Sequence, residues 1–249
     1  MFTLSNPPGN PLITRYFICL FCLIPDLVTA QFKAARSCRI VFASAPADAP
    51  EKLQLFDGTS SQEVELPRLN LSPVYKLPAG PLVVRLLPAA ASKTRDVSPD
   101  APKVTVPEAV IDFYLIVTSD PSNQIAPVKL RVVDASPKGF PKGRMIWFNL
   151  TANTVNGKVG TQELSLGSNA RVVVELPTTT GGDYPVNLTF RLPGNEMDYP
   201  LCETKWTHDG LPGTLFILVM ESGDRTPRVV AFPDLREAGN TRLKKPGKK

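Results

Sequence analysis

Along much of the chain, apolar residues recur at every second position. KLQLF (Lys52–Phe56) and QELSL (Gln162–Leu166) alternate in this way, the pattern of a strand with one face in a core and the other in water. Other runs are short and apolar throughout, with many β-branched and aromatic residues. They are RIVF from Arg39, PLVVRLLP from Pro81, VIDFYLIVT from Val110, VKLRVV from Val128 and RMIWFNL from Arg144, then ARVVVELP from Ala170, VNLTFRL from Val186, TLFILVM from Thr214 and RVVAF from Arg228. These also predict strands, as does EVEL from Glu63. Turn signals divide them: DGTSSQ at Asp57, NG at Asn156, GGD at Gly181, PGN at Pro193 and LPG at Leu211. Beyond residue 30 no segment longer than about ten residues carries a capped helical stripe. The expected fold is all-β, built of sandwiches, with no parallel α/β sheet.

Short segments recur in order. Arg39–Pro46 (RIVFASAP) resembles Arg131–Pro137 (RVVDASP), and SQEVEL from Ser61 resembles TQELSL from Thr161. LVVRLLP from Leu82 resembles RVVVELP from Arg171, and FYLIVTSD from Phe113 resembles LFILVMES from Leu215. This predicts a tandem duplication, with one β-sandwich domain over 36–127 and a second over 128–235. On that reading RIVFASAP and RVVDASP are the first strands of the two copies, and PRVVAFP from Pro227 closes the second. Each Arg would mark an outward position, and each proline would end strand pairing. Ala89–Lys103, small, polar and proline-punctuated, is either a long loop of the first unit or a linker.

Composition refines this picture. The chain holds 26 prolines in 249 residues, about twice the roughly 5% average, which suits many short elements and frequent turns. At 43% hydrophobic and 20% charged, it has the means for a packed core. The formal net charge of +5 resides in the stretch 236–249, where six basic residues face one Glu. The body is neutral, so a nucleic-acid-binding face on the fold is not expected.

Arg15, the apolar run YFICLFCLI (16–24) and the small-residue site ending at Ala30 predict a secretory signal peptide over 1–30. The run is too short to span a membrane, which takes about 20 apolar residues. Export leaves Cys38 and Cys202, and an oxidising compartment allows a disulfide between them; the alternative is two buried thiols.

Residues of the first unit carry a family resemblance. RIVFASAPADAP from Arg39, LQLFDG from Leu53, SPVYKLPAG from Ser72 and VVRLLP from Val83 together resemble a bacterial and archaeal exported domain of unknown function. That domain opens on a V-R-V-V-H-x-S-P-D-A-P pattern. The chain departs from it: Phe42 stands at the place of the family's His, Asp134 stands there in the second unit, and Ala45 and Ala47 are extra. The resemblance covers about residues 39–88 and implies an Ig-like or transthyretin-like cell-surface module, without an activity.

Candidate chemistry is sparse. His208, in KWTHDG, is the single histidine, and no G-x-S-x-G elbow accompanies it. His208 with Asp209 and Glu203 makes a poor metal set. No catalytic, cofactor-binding or metal-ligating residue is therefore assigned. Trp206, in a loop-like stretch, is the candidate glycan contact. The basic stretch, with Arg242, Lys244, Lys245, Lys248 and Lys249, is expected to be disordered, or to attach to anionic lipid or wall polymer. The sequons at Asn70, Asn149 and Asn187 are read as chance matches. The function expected is an exported, non-enzymatic structural or protein-interaction module of a bacterial envelope, in the periplasm or at the cell surface. A carbohydrate-binding sandwich is the alternative; a pilus-type periplasmic chaperone and a hydrolase stand behind it.

Overall fold

Alternating and continuously apolar runs occupy different layers. The computed structural model describes residues 35–137, 140, 144–175, 181–208, 213–220 and 223–235; the segment 1–30, expected to be a signal peptide, and the basic stretch 236–249 lie outside them. The described residues form sixteen strands. The first eight are β1 (Arg36–Phe42), β2 (Lys52–Phe56), β3 (Ser61–Glu65), β4 (Tyr75–Leu77), β5 (Leu82–Leu87), β6 (Lys103–Val106), β7 (Asp112–Ser119) and β8 (Val128–Asp134). The next eight are β9 (Arg144–Asn149), β10 (Thr154–Val159), β11 (Gln162–Leu166), β12 (Arg171–Glu175), β13 (Gly182–Arg191), β14 (Asp198–His208), β15 (Gly213–Val219) and β16 (Arg228–Pro233).

They make four four-stranded sheets. Sheets β3-β2-β5-β6 and β4-β1-β7-β8 enclose a core with Ile40, Leu55, Val84 and Leu115. Sheets β12-β9-β15-β16 and β11-β10-β13-β14 enclose Trp147, Val155, Leu188 and Leu218. A third apolar layer, with Val41, Tyr114, Ile116, Ile146, Phe148, Ile217 and Phe232, joins strands of the β1 sheet to strands of the β9 sheet. The two inner sheets are thus covered on both faces, and their strands need no polar side. That is why Phe113–Val117 and Leu215–Val219 are buried without a break, whereas Lys52 and Gln54 of β2 alternate with buried Leu53 and Leu55.

The fold is all-β, in two β-sandwich halves, and the second repeats the wiring of the first. β1 pairs in parallel with β7 and antiparallel with β4, as β9 does with β15 and β12. Even a bridging side chain recurs: the Gln62 amide donates to the carbonyl of Lys76 on β4, and the Gln162 amide to that of Glu175 on β12.

Four expectations change, while the SQEVEL–TQELSL match and the placing of the segment after Leu87 as a loop of the first half hold. Hydrogen bonds tie β8 to β7, so the first half runs through Asp134 and the passage between halves follows it, not residue 127. RVVDASP is therefore the last strand of the first half, and its counterpart is RVVAFP in β16. LVVRLLP (β5) and RVVVELP (β12) likewise hold different places. SQEVEL and TQELSL do correspond, as β3 and β11. The Asn156–Gly157 pair lies inside β10, not in a turn. The segment after Leu87 belongs to the first half: Val97 and Ala101 pack with Phe56 and Leu87, and Ala91 bonds both ways with the Ser61 hydroxyl.

Candidate functional site

Paired ladders define equivalent positions in the two halves. Lys76 corresponds to Glu175 through the glutamine bridges, so their partners Ser37 and Arg144 correspond. Along the parallel ladders Tyr114 then matches Leu215, Ile116 matches Ile217, and Thr118 and Ser119 match Val219 and Met220. Val133 matches Phe232 by the next ladder. The central apolar layer is thus built from the same face of each half. The contact is isologous, as between subunits of a two-fold dimer.

Two arginines tie the layer at its margins. Arg39 on β1 donates from Nη1 to Oδ1 of Asp234, just past β16, at 2.6 Å, from Nε to the Ser72 carbonyl at 2.7 Å, and from Nη2 to the Leu71 carbonyl. The Tyr114 hydroxyl donates to Oδ2 of Asp234 at 2.6 Å. The ion pair is enclosed, with side-chain exposures of 11% and 8%, so Arg39 points into the inter-half contact and not outward. Reciprocally, Arg171 on β12 donates to the Asp134 carbonyl at the end of β8. Burial pushes the Arg171 guanidinium below its ordinary value, while Asp134 and Tyr114 push back up. Each arginine therefore grips the last strand of the opposite half.

The parallel pairs β1/β7 and β9/β15 end at a shared cleft of about 880 Å³, within the roughly 300–1,000 Å³ of ligand sites. Equivalent positions face one another across it. The first half supplies Ala43, Thr118 and Ser119; the second supplies the bulkier and more apolar Leu150, Val219 and Met220. The β1–β2 turn adds Ser44, Ala45, Pro46, Asp48 and Ala49. Ser44 holds a left-handed φ of 54°, a conformation costing a non-glycine residue about 1 kcal/mol or more. Asp48 is an exposed carboxylate at the rim. Chemically the cleft offers hydroxyls set among alanine and proline side chains, Pro121 and Pro127 included, on one wall, methyls and a thioether on the other, and a negative charge at its mouth.

The residues singled out in the sequence lie elsewhere. No disulfide joins Cys38 to Cys202: Cys38 is in the first-half core, and Cys202 lies on β14 beside the second. Burial pushes the Cys202 thiol up, away from the reactive thiolate. Trp206 is not a loop residue. It lies in β14, half-buried, its ring stacked on Trp147 at 5.9 Å and Phe216 at 5.3 Å, with Tyr184 edge-on. One side of the ring thus packs on the core. His208 ends β14 opposite Gly182, and its side chain and Asp209 lie outside the described residues. Glu203 is on the exposed face of β14. No cluster of three potential metal ligands occurs among the described residues, and none of their helices is long and apolar enough to cross a membrane. Asn149 is fully buried, its amide bonded to the carbonyls of Asn153, Leu166 and Gly167, a position closed to glycosylation. Sequence reasoning missed Arg39, Asp234, Tyr114 and Arg171; a charge inside the apolar run of β1 was the available signal.

No protein-family model matches the chain, and no curated protein matches it significantly.

Proposed function

We propose that this protein is an exported, non-enzymatic protein-interaction module of a bacterial envelope. On this reading it holds an extended, apolar and cationic peptide segment in the cleft between its halves. The observation that carries the proposal is the asymmetry of the cleft. Equivalent positions of the two halves differ there, a hydroxyl pair (Thr118, Ser119) standing across from an apolar pair (Val219, Met220), with Asp48 at the rim. An extended peptide satisfies all three: amides for the hydroxyls, alternate apolar side chains for the other wall, a Lys or Arg for Asp48. Arg15 with the apolar run 16–24, and the basic stretch 236–249, fit export and an anionic surface.

A peptide array tests it. Apolar nonamers carrying Lys or Arg should be retained and their Glu counterparts not. Asp48→Lys should invert that preference, and Met220→Arg, which sets a positive charge on the apolar wall, should abolish retention. Absence of selective retention, or retention unchanged in Met220→Arg, sinks the proposal.

A further inference from the structure

The internal duplication supplies its own control for another surface. In the first half the strand equivalent to β14 is β6, four residues long, and the chain after β5 folds over that part of the sandwich as the segment carrying Val97 and Ala101. In the second half this cover is replaced by strand: β14 runs for 11 residues and pairs with β13 along its length, with one break in register at Leu201. It ends its sheet, β11-β10-β13-β14, and among the described residues no strand pairs with its outer edge. An open edge of that length is a template for another strand.

The side chains along it specify which strand. Cys202 and Trp206 pack toward the core, so Glu203, Lys205 and Thr207 stand on the opposite, exposed face. At the two ends of the β13–β14 hairpin this face is internally paired: Arg191 makes two bonds to Asp198, and the Thr207 hydroxyl donates to Asp183 at 2.7 Å. In the middle it is not. Glu203 and Lys205 stand opposite Asn187 and Pro185, and neither makes an ion pair among the described residues. The sequence Glu203-Thr204-Lys205 is self-complementary. In an antiparallel pair of two β14 strands centred on Thr204, each Glu203 lies directly opposite a Lys205 of the other copy, twice about the axis. Pro200, which cannot donate to a ladder, and the break in register at Leu201 fall outside the paired stretch 202–206.

We infer that β14 is a homodimerisation edge: two copies of this chain join antiparallel at Thr204 into an eight-stranded outer sheet. The cleft takes no part, so this inference stands or falls apart from the function proposed above.

Sedimentation equilibrium of the full chain should show a concentration-dependent dimer that weakens with salt. Lys205→Glu sets Glu against Glu at both contacts and should raise the dimer dissociation constant at least tenfold. Glu203→Lys combined with Lys205→Glu restores the complementarity and should restore the dimer. Both variants alter exposed side chains only, and unchanged melting confirms their folding. In a Cys202→Ser background, Thr204→Cys should oxidise to a covalent dimer. Thr207→Cys should not, because its copies lie about 20 Å apart in this register. A chain monomeric at all concentrations, a dimer indifferent to Lys205→Glu, or equal crosslinking at 204 and 207 overturns the inference.

Discussion

At the scale of single residues, the Arg39–Asp234 pair is where the molecule departs most from its own symmetry. The equivalents of these two residues are Ile146 and Ala135, apolar members of the same layer. An enclosed pair pays for desolvation and recovers it only through good geometry, which the bonds from Tyr114 and to Ser72 and Leu71 complete. Asp234→Ala should therefore cost about 3–5 kcal/mol, because it strands a buried guanidinium. Adding Arg39→Ile, the residue type found at the equivalent site, should recover more than half of that loss in urea unfolding. Trp206→Ala should lower stability by about 2–3 kcal/mol through the lost stacking with Trp147 and Phe216. The pair was illegible in the sequence because its members lie 195 positions apart. An Arg between Cys38 and Ile40 reads as outward when only one sandwich is imagined. Trp206 was misplaced for a related reason: charged and polar neighbours made an edge strand look like a loop.

At the scale of elements, turns and close approaches decide the pairing. The β2–β3 connection is organised by Asp57, whose carboxylate accepts from the backbone N–H and hydroxyl groups of Thr59 and Ser60. Partial burial pushes the Asp57 carboxyl up, but those four bonds together outweigh it and hold it below its ordinary value. The folded form thus binds this proton less readily than the unfolded one. The stabilisation is fully present above the unfolded carboxylate pKa of about 3.9 and is lost as pH falls through the lower folded value. Asp57→Asn should flatten that acid limb in melts between about pH 6 and pH 2. In β10, Gly157 has φ 145°, and a Cβ there would run into the backbone carbonyl oxygen of Asn187. Gly157→Ala should cost at least about 2 kcal/mol and displace β13, as read by denaturation and amide exchange of Asn187 and Leu188. Strand content was legible because period-two and β-branched runs are local signals, whereas strand identity was not. FYLIVTSD and LFILVMES do fall in equivalent strands, yet matching Phe113 with Leu215 slips the register by one and swaps core face for inter-half face. β4, β6, β10 and β14, short, polar or edge-lying, escaped the pattern.

At the scale of the whole molecule, the two sandwiches share an apolar layer and should unfold together. Both tryptophans lie in the second half, so their fluorescence reports on that half alone. Leu55→Ala, in the first-half core, should cost about 2–5 kcal/mol and shift the tryptophan transition and the far-UV circular dichroism transition to the same midpoint. Separate midpoints would show two independent units. Of the repeated segments only SQEVEL and TQELSL fall on equivalent strands in register, and the inter-half layer was not legible at all, since no local pattern distinguishes a residue facing its own sandwich from one facing the neighbour. The parallel ladders carry a further consequence, in time. β1 cannot complete its sheet until β7, whose Asp112 pairs with Ser37, is available, and Arg39 waits for Asp234. Non-local closure of this kind slows folding to milliseconds or seconds. A chain emerging from the ribosome would carry an uncovered apolar sheet until β16, the last of the described strands, arrived, so the emergence of β16 sets the moment at which the nascent protein ceases to be sticky.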